Sequence, residues 1–305
     1  MRCTTRRAAF ALGALCAWCG CRRSALDERA PAPAVASSPP AAAVVSSPPA
    51  SATPAQPEDA GAGLEASSSA ELPDVRTDWC LDGWRGLDEG TCYLVPRDGE
   101  RRGATLLVYL SGIVPPVPRS PQKEKVQRIV AAAAARAGAV ALLPRGRRGI
   151  GPAGAKDWWA WPTSAGDHSL YAAAMVAEWS AARAKLEAAL GRFDRVYLAG
   201  SSSGAYFLST LALTGAVEMD GYAAASGGAA GLGASRAVAT ARRPFYVGYA
   251  SGDPTHGGPK ALGAFLAAAG WPVRVAEHPG GHGAREVYLD EAFAFWDSVA
   301  RDAGP

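Results

Sequence analysis

The sequence predicts an α/β protein, a mostly parallel central sheet with helices on both faces, occupying everything after the first quarter of the chain. Three observations lead there. Short apolar runs alternate regularly with Ala-rich stretches of helical length from residue 91 onward, the pattern of parallel strands joined by crossover helices. The runs "ATLLVYL" (104–110) and "AVALLP" (139–144) are apolar almost throughout rather than at every second position, as strands covered on both faces require. The residues with chemical potential all fall just past a strand, at the edge where such sheets hold ligands.

The elements follow in order. Residues 1–23, "MRCTTRRAAFALGALCAWCGCRR", put Arg2, Arg6 and Arg7 ahead of an apolar stretch from Ala8 to Gly20. That stretch is too short to span a bilayer and has the length of a signal-peptide core. "WCGC" resembles the end of a bacterial lipobox, with Trp18 where leucine is usual and Cys19 where a small residue is usual; lipidation would fall on Cys21. Ordinary cleavage nearby, leaving a soluble protein, is the alternative, and "TTRRAAFAL" loosely resembles a twin-arginine signal. The expected location is the cell envelope, either membrane-anchored through a lipid on Cys21 or periplasmic or secreted. Residues 24–76 are rich in Ala, Pro and Ser with hardly an aromatic, a composition that cannot offset the entropy of ordering and reads as an extended tether.

The globular domain is expected over 77–305. "TCYLV" (91–95) and 104–110 read as strands, followed by a helix over 122–138 with Pro121 at its start and Gly138 at its end, the usual placement. A strand at 139–144 and a helix over 170–191 come next; Tyr171, Met175, Trp179, Leu186 and Leu190 share one stripe of that helix and read as core. "RVYLAG" (195–200) is a strand and 205–215 a helix. Strands at 221–227, 244–252 and 273–280, with helices at 258–270 and 284–300, complete the series.

Charge and cysteines narrow the function. The formal net charge is +3, and the three arginines of the leader account for it, so the mature chain is near neutral. That argues against a general nucleic-acid partner, which needs a clustered positive footprint. Cys3, Cys16 and Cys19 leave with the signal, so only Cys80 and Cys92 remain in the globular part. In an oxidising compartment such a pair reads as a disulfide; a metal site lacks further ligands, and two buried thiols are the remaining alternative. No metal constellation or phosphate-binding glycine loop is evident, and no cofactor is expected.

The chemistry concentrates in three places. "YLAGSSSGAYF" sets Gly-x-Ser-x-Gly directly after a strand and before a helix, the nucleophile-elbow arrangement. Gly200 and Gly204 flank Ser202, since the turn leaves no room for side chains, and of the three adjacent serines only Ser202 is centred. A plain Gly/Ser-rich connection is the bland alternative. A serine nucleophile needs a base, and the chain has four histidines, His168, His256, His278 and His282. His282, in "HPGGHGARE", follows the last strand in a loop that its glycines allow to bend. An acid should orient that imidazole. Asp253 in "YVGYASGDPTHGG" ends a strand; an Asx-turn is its structural alternative, and Glu277 and Asp220 are the other candidates.

Ser202, Asp253 and His282, in that order and on those element ends, resemble the α/β-hydrolase superfamily over about residues 91–300. The stretch from Gly252 to Gly283 is similar to the acid loop, helix, strand and histidine loop of small exported esterases. The resemblance implies attack by Ser202, proton transfer by His282 and orientation by Asp253, with a small-molecule ester as substrate. It also implies an oxyanion hole from the backbone N–H of Ser203 and a second donor in "VYLSGIVPP" (108–116), either Ile113 or Gly112. Ser111 stands where the family usually has histidine.

The irregular stretch 145–169 leaves the same sheet edge as an expected short overhang. Trp158, Trp159 and Trp161 in it are candidates to line an acyl or aryl pocket, or else to pack the loop onto the domain. Arg145, Arg147 and Arg148 are candidates for an anionic substrate group, or solvated loop arginines. A peptidase or acyltransferase with the same triad, and a tethered non-catalytic binding protein on this fold, are the rival readings.

Overall fold

The computed structural model describes residues 71–96, 105–231 and 241–302. The expected signal segment with Cys21, and the expected tether as far as residue 70, lie outside the described residues. What is described belongs to the compact unit Leu64–Pro305. Its strands are β1 (Arg85–Asp88), β2 (Thr91–Leu94), β3 (Thr105–Leu110), β4 (Val140–Pro144), β5 (Arg195–Ser201), β6 (Gly221–Ala225), β7 (Phe245–Ala250) and β8 (Val273–His278). They form one sheet in the order β1-β2-β4-β3-β5-β6-β7-β8. β1–β2 and β2–β4 pair antiparallel, and every pair from β4 across to β8 is parallel.

The helices are α1 (Pro121–Ala137), α2 (Ala165–Leu190), α3 (Ser203–Thr214), α4 (Gly257–Ala268) and α5 (Glu286–Asp302). Strand alternation divides the core between the two faces. Leu106, Val108 and Leu110 of β3 join a cluster with Met175 and Trp179 of α2, Phe207 and Leu211 of α3 and Leu262 of α4. Leu107 and Tyr109 of the same strand face Ile129 and Val130 of α1 and Leu289 and Trp296 of α5. Helices therefore cover both faces, as the sequence predicts.

Local signals place the helix ends. Ser120 caps α1 by accepting from Lys123 N–H, Pro121 is its first residue, and Gly138 closes it with φ 63°, a left-handed conformation glycine adopts without strain. α2 begins five residues ahead of the expected start at 170. Ser164 caps it by accepting from Asp167 N–H at 3.1 Å, so its first turn absorbs the Gly- and Asp-containing stretch that reads as loop.

β1 is a strand the sequence does not announce. It is four residues long, contains Gly86 and shifts register between Gly86 and Asp88. The incoming chain lies along it: Val75 N–H donates to Gly86 O at 2.8 Å. A Cβ at Gly86 would stand 2.0 Å from Val75 O, so the close approach of two backbones requires glycine there. Tyr93 OH donates to Pro73 O at 2.7 Å, so the described chain is already held to the sheet ahead of residue 77.

Cys80 and Cys92 form a disulfide, with Cα atoms 5.5 Å apart, joining this entering segment to β2. A loop of this size is worth about 3 kcal/mol in restricted unfolded-state freedom. Replacing both cysteines with serine is expected to lower stability by about 2–4 kcal/mol, read from urea unfolding as a lower midpoint with a somewhat steeper slope, since the unfolded chain loses its crosslink. An unchanged unfolding free energy would show that the bond contributes nothing to stability.

Candidate active site

Ser202 stands between β5 and α3 with φ 51° and ψ −121°. A side chain held there costs of order 1–3 kcal/mol and persists only where the surroundings over-determine it. They do so here. A Cβ on Gly200 would meet Leu110 O at 2.8 Å, and one on Gly204 would meet the same oxygen at 2.2 Å. The turn is thus pressed against the end of β3 at both flanking positions. Ser202 N–H donates to Ala225 O at the end of β6 at 3.0 Å. A Cβ on Gly227 would come within 2.6 Å of Ser202 O. The serine is held from both neighbouring strands.

The structure brings the three candidates together in one relay. Ser202 Oγ lies 2.9 Å from His282 Nε2, and His282 Nδ1 lies 2.8 Å from Asp253 Oδ2. With the Asp253 carboxylate accepting from Nδ1–H, the bare Nε2 accepts from the serine hydroxyl; this tautomer is assigned from the network. Asp253 is fully buried, whereas the His282 side chain is 39 % exposed. Burial pushes the Asp253 carboxyl up. The hydrogen bonds from Thr255 N–H at 2.8 Å, from Thr255 Oγ1–H at 2.7 Å and from His282 outweigh it. The net effect is a pKa below the ordinary aspartate value. Asp253 is thus both an Asx-turn acceptor, through Oδ1, and the partner of His282, through Oδ2.

The acid and histidine loops are fastened to each other. Beyond the last ladder pairs of β7 and β8, Ser251 N–H donates to His278 O and Gly252 N–H to Gly280 O, both at 2.9 Å. Arg285 donates to Gly281 O at 3.1 Å and also to Pro279 O, bracing the histidine loop from the start of the final helix. Ser226 Oγ donates to Gly283 O at 3.0 Å, and Ser226 itself has φ 46°. Thr255 and Ser226 are two positioning residues that the sequence reading does not single out. The Asp-Pro-Thr spacing of an Asx-turn was a usable signal for Thr255; nothing local marks Ser226.

The other candidates go elsewhere. His168 packs edge-on to Phe207 with ring centroids 5.5 Å apart. His256 Nδ1 lies 2.6 Å from Asp253 O, and His278 Nε2 lies 3.3 Å from Glu291. Asp220 accepts from Val196 N–H at 2.7 Å, and Glu277 from Tyr249 OH at 3.1 Å.

Ser203 is the first residue of α3, so its N–H is among those a helix leaves without an internal acceptor. The loop after β3 lies opposite: a Cβ on Gly112 would stand 3.1 Å from Ser202 Cβ. Among the described residues, neither Gly112 nor Ile113 donates its N–H to a backbone acceptor. The hydroxyls of Ser111 and Ser203 are buried there with no partner among the described residues.

The three tryptophans part company. Trp161 is 1 % exposed and stacks on Phe207 at 5.6 Å, so it belongs mostly to the core. Trp159 is half-buried and pairs its backbone with Val114. Trp158 is half-buried in a turn, its N–H donating to Ala155 O at 3.0 Å.

No family model and no curated protein matches this sequence. Solved structures do match it in shape. The crystal structure of esterase PE8 is similar at a TM-score of 0.50 and 18 % identity, over 68 % of this chain and 97 % of that one. Zea mays acyl-protein thioesterase 2 has a TM-score of 0.49 at 16 % identity, over 68 % of this chain and 97 % of that one. A Bacillus cereus carboxylesterase has a TM-score of 0.48 at 16 % identity, over 68 % and 93 %. At such identities the likeness speaks to fold alone, and only the first is close enough in shape to carry weight. Among the described residues no helix is long and apolar enough to cross a membrane.

Proposed function

We propose that this chain, which has the α/β-hydrolase fold, is an exported serine hydrolase that cleaves a carboxylic ester through an acyl-enzyme. The observation that carries the reading is the unbroken relay Ser202–His282–Asp253 with the serine on a strained turn. In it, Ser202 Oγ attacks the acyl carbonyl as its proton passes to His282 Nε2. The oxyanion that forms is received by Ser203 N–H and by Gly112 or Ile113 N–H. His282 then returns the proton to the departing alcohol, and a water activated by the same imidazole releases the acid. Asp253 remains ionised throughout, holding the tautomer and stabilising the imidazolium.

The solvent-facing imidazole supports a substrate of modest size that reaches the serine directly. The reading extends to the rest of the chain. A lipid on Cys21 would anchor the domain, and the segment from residue 24 to about residue 70 would serve as the spacer between anchor and domain.

Labelling of the purified domain with a fluorophosphonate probe tests the reading. Wild type is expected to label and Ser202→Ala is not. A folded wild type that does not label would overturn the catalytic reading and leave a tethered binding protein. Thr255→Val removes one of the hydrogen bonds holding Asp253 ionised. It is expected to lower kcat/KM about tenfold, the worth of a hydrogen bond to a charged group. Steady-state kinetics on a short aryl ester would show it.

A further inference from the structure

The loop that follows β3 carries both candidates for the second oxyanion donor, Gly112 and Ile113, and little in its own backbone holds it. Pro115, Pro116 and Pro118 lie in it, and a proline has no N–H to donate. Among the described residues, Val114 N–H donates to Trp159 O and Val117 N–H to Pro115 O, both at 2.9 Å. Residues 116–119 are exposed, so packing does not fix that stretch either.

Lys123, in the first turn of α1, reaches back to it. The residue is 3 % exposed. Its ammonium donates to Val117 O at 3.2 Å, to Pro118 O and to Asp78 O, which takes up the three N–H groups an ammonium has. A cation there is costly on two counts. Burial pushes its pKa below the ordinary lysine value, with Asp78 and Glu124 pulling the other way. The helix dipole also disfavours positive charge at a helix N-terminus. An apolar side chain would fill the space without either cost, but it could not draw three carbonyls together.

The third carbonyl belongs to a segment fixed from three sides. Trp79 Nε1–H donates to Leu143 O in β4 at 3.0 Å. Gln127, one turn along α1 from Lys123, donates to Trp79 O at 2.5 Å and accepts from Leu81 N–H at 2.8 Å. The disulfide ties Cys80 to Cys92 in β2. Through Lys123 this anchorage passes to Val117 and Pro118. The same loop meets the nucleophile at Gly112, where a Cβ would stand 3.1 Å from Ser202 Cβ. The two candidate amides therefore lie on a short span, against Ser202 at one end and gripped by Lys123 at the other.

We propose that Lys123 is a positioning residue for the oxyanion hole: by holding the Val117 and Pro118 carbonyls against the fixed carbonyl of Asp78, it keeps the Gly112–Ile113 amides aimed at the tetrahedral intermediate. This rests on the serine-hydrolase reading and adds to it a residue that touches no reacting atom. Outright loss of an oxyanion donor costs on the order of a hundredfold or more in rate. Releasing one end of the loop, with the Val114–Trp159 pairing kept, misaims a donor without deleting it and should cost about tenfold.

The test compares wild type and Lys123→Met on para-nitrophenyl butyrate, well below the melting temperature of both. In Lys123→Met, kcat and kcat/KM are expected to fall together by about tenfold with KM unchanged, the mark of an interaction made only in the transition state. The acid limb of kcat/KM against pH, which reports His282, is expected to stay in place. A folded Lys123→Met with wild-type kcat overturns the proposal, even if its urea midpoint is lower, because the lysine then serves stability alone. A loss confined to KM, or a shifted acid limb, overturns it too, by locating the damage in binding or in the relay. Should Lys123→Met not fold, Lys123→Gln keeps two N–H donors on a shorter stem; an equal fall in kcat and kcat/KM supports the proposal, and an unchanged kcat overturns it. Wild type separates the two readings: if it turns over no ester, the hydrolase reading fails and the positioning role with it, whereas an active wild type beside an equally active Lys123→Met sinks the positioning role alone.

Discussion

Replacing Ser202 with alanine is expected to lower kcat on a small aryl ester by about a millionfold. The hydroxyl is the group whose bond to the acyl carbon divides the reaction into two easier steps. What remains is stabilisation by the backbone N–H groups around the Ser203 position and by binding, which His282 and Asp253 cannot enlarge without a nucleophile. Ser202→Gly loses the same activity and is expected to gain stability. Its φ of 51° costs a side chain of order 1–3 kcal/mol, and glycine is relieved of it. Urea unfolding of the two variants would separate a turn strained for the sake of the hydroxyl from one that is merely tight. Equal midpoints for glycine and alanine would remove the strain argument.

Asp253→Asn is expected to lower kcat about ten-thousandfold while the domain stays folded. The amide oxygen still accepts from both Thr255 donors, so the turn survives. An NH₂ group facing His282 Nδ1 then favours the tautomer with the proton on Nε2, and that nitrogen no longer accepts from Ser202. The stability of the two proteins should also diverge with pH, and the sign follows from the carboxyl's depressed pKa. In the folded state the group holds its proton less tightly than in the unfolded chain. The stabilisation is therefore present above the ordinary value of 3.8 and is lost as pH falls through the lower folded value. Wild type should lose this increment in acid, and Asp253→Asn should not. Urea midpoints at a series of pH values would show it, and parallel curves would count against an ionised, hydrogen-bonded Asp253.

The parallel part of the sheet was legible because its strands are near-continuous apolar runs, so β3, β4, β5 and β7 announce themselves without help from distant residues. Ser202, Asp253 and His282 were legible as candidates for a related reason: each follows a readable strand, and the glycines around them mark turns. β1 was not, because a four-residue strand holding Gly86 is stabilised by backbone contact with Val75, which is no property of its own residues. The tryptophans show the same limit at side-chain level. Trp159 and Trp161 lie two residues apart and look alike in sequence, yet one stacks under Arg145 and the other against Phe207. Which way each ring turns is decided by α3 and by the loop after β3, both distant in sequence. Ser226 is hidden for the same reason, since its role depends on Gly283 arriving from the far side of β8.

The disulfide also has a mechanical meaning. β1 lies wholly inside the loop that Cys80 and Cys92 close. Once the Val75–Gly86 backbone bond gives way, tension on the chain ahead of Cys80 passes through the sulfur bridge into β2 and leaves β1 outside the load path. β2 stands six strand positions from β8, roughly 30 Å across the sheet, and β8 carries the histidine loop. A domain pulled from its N-terminal side takes the load at β2, three strand positions from β5 and the turn that carries Ser202, so the force enters the sheet outside the strands β5, β7 and β8 that present the relay.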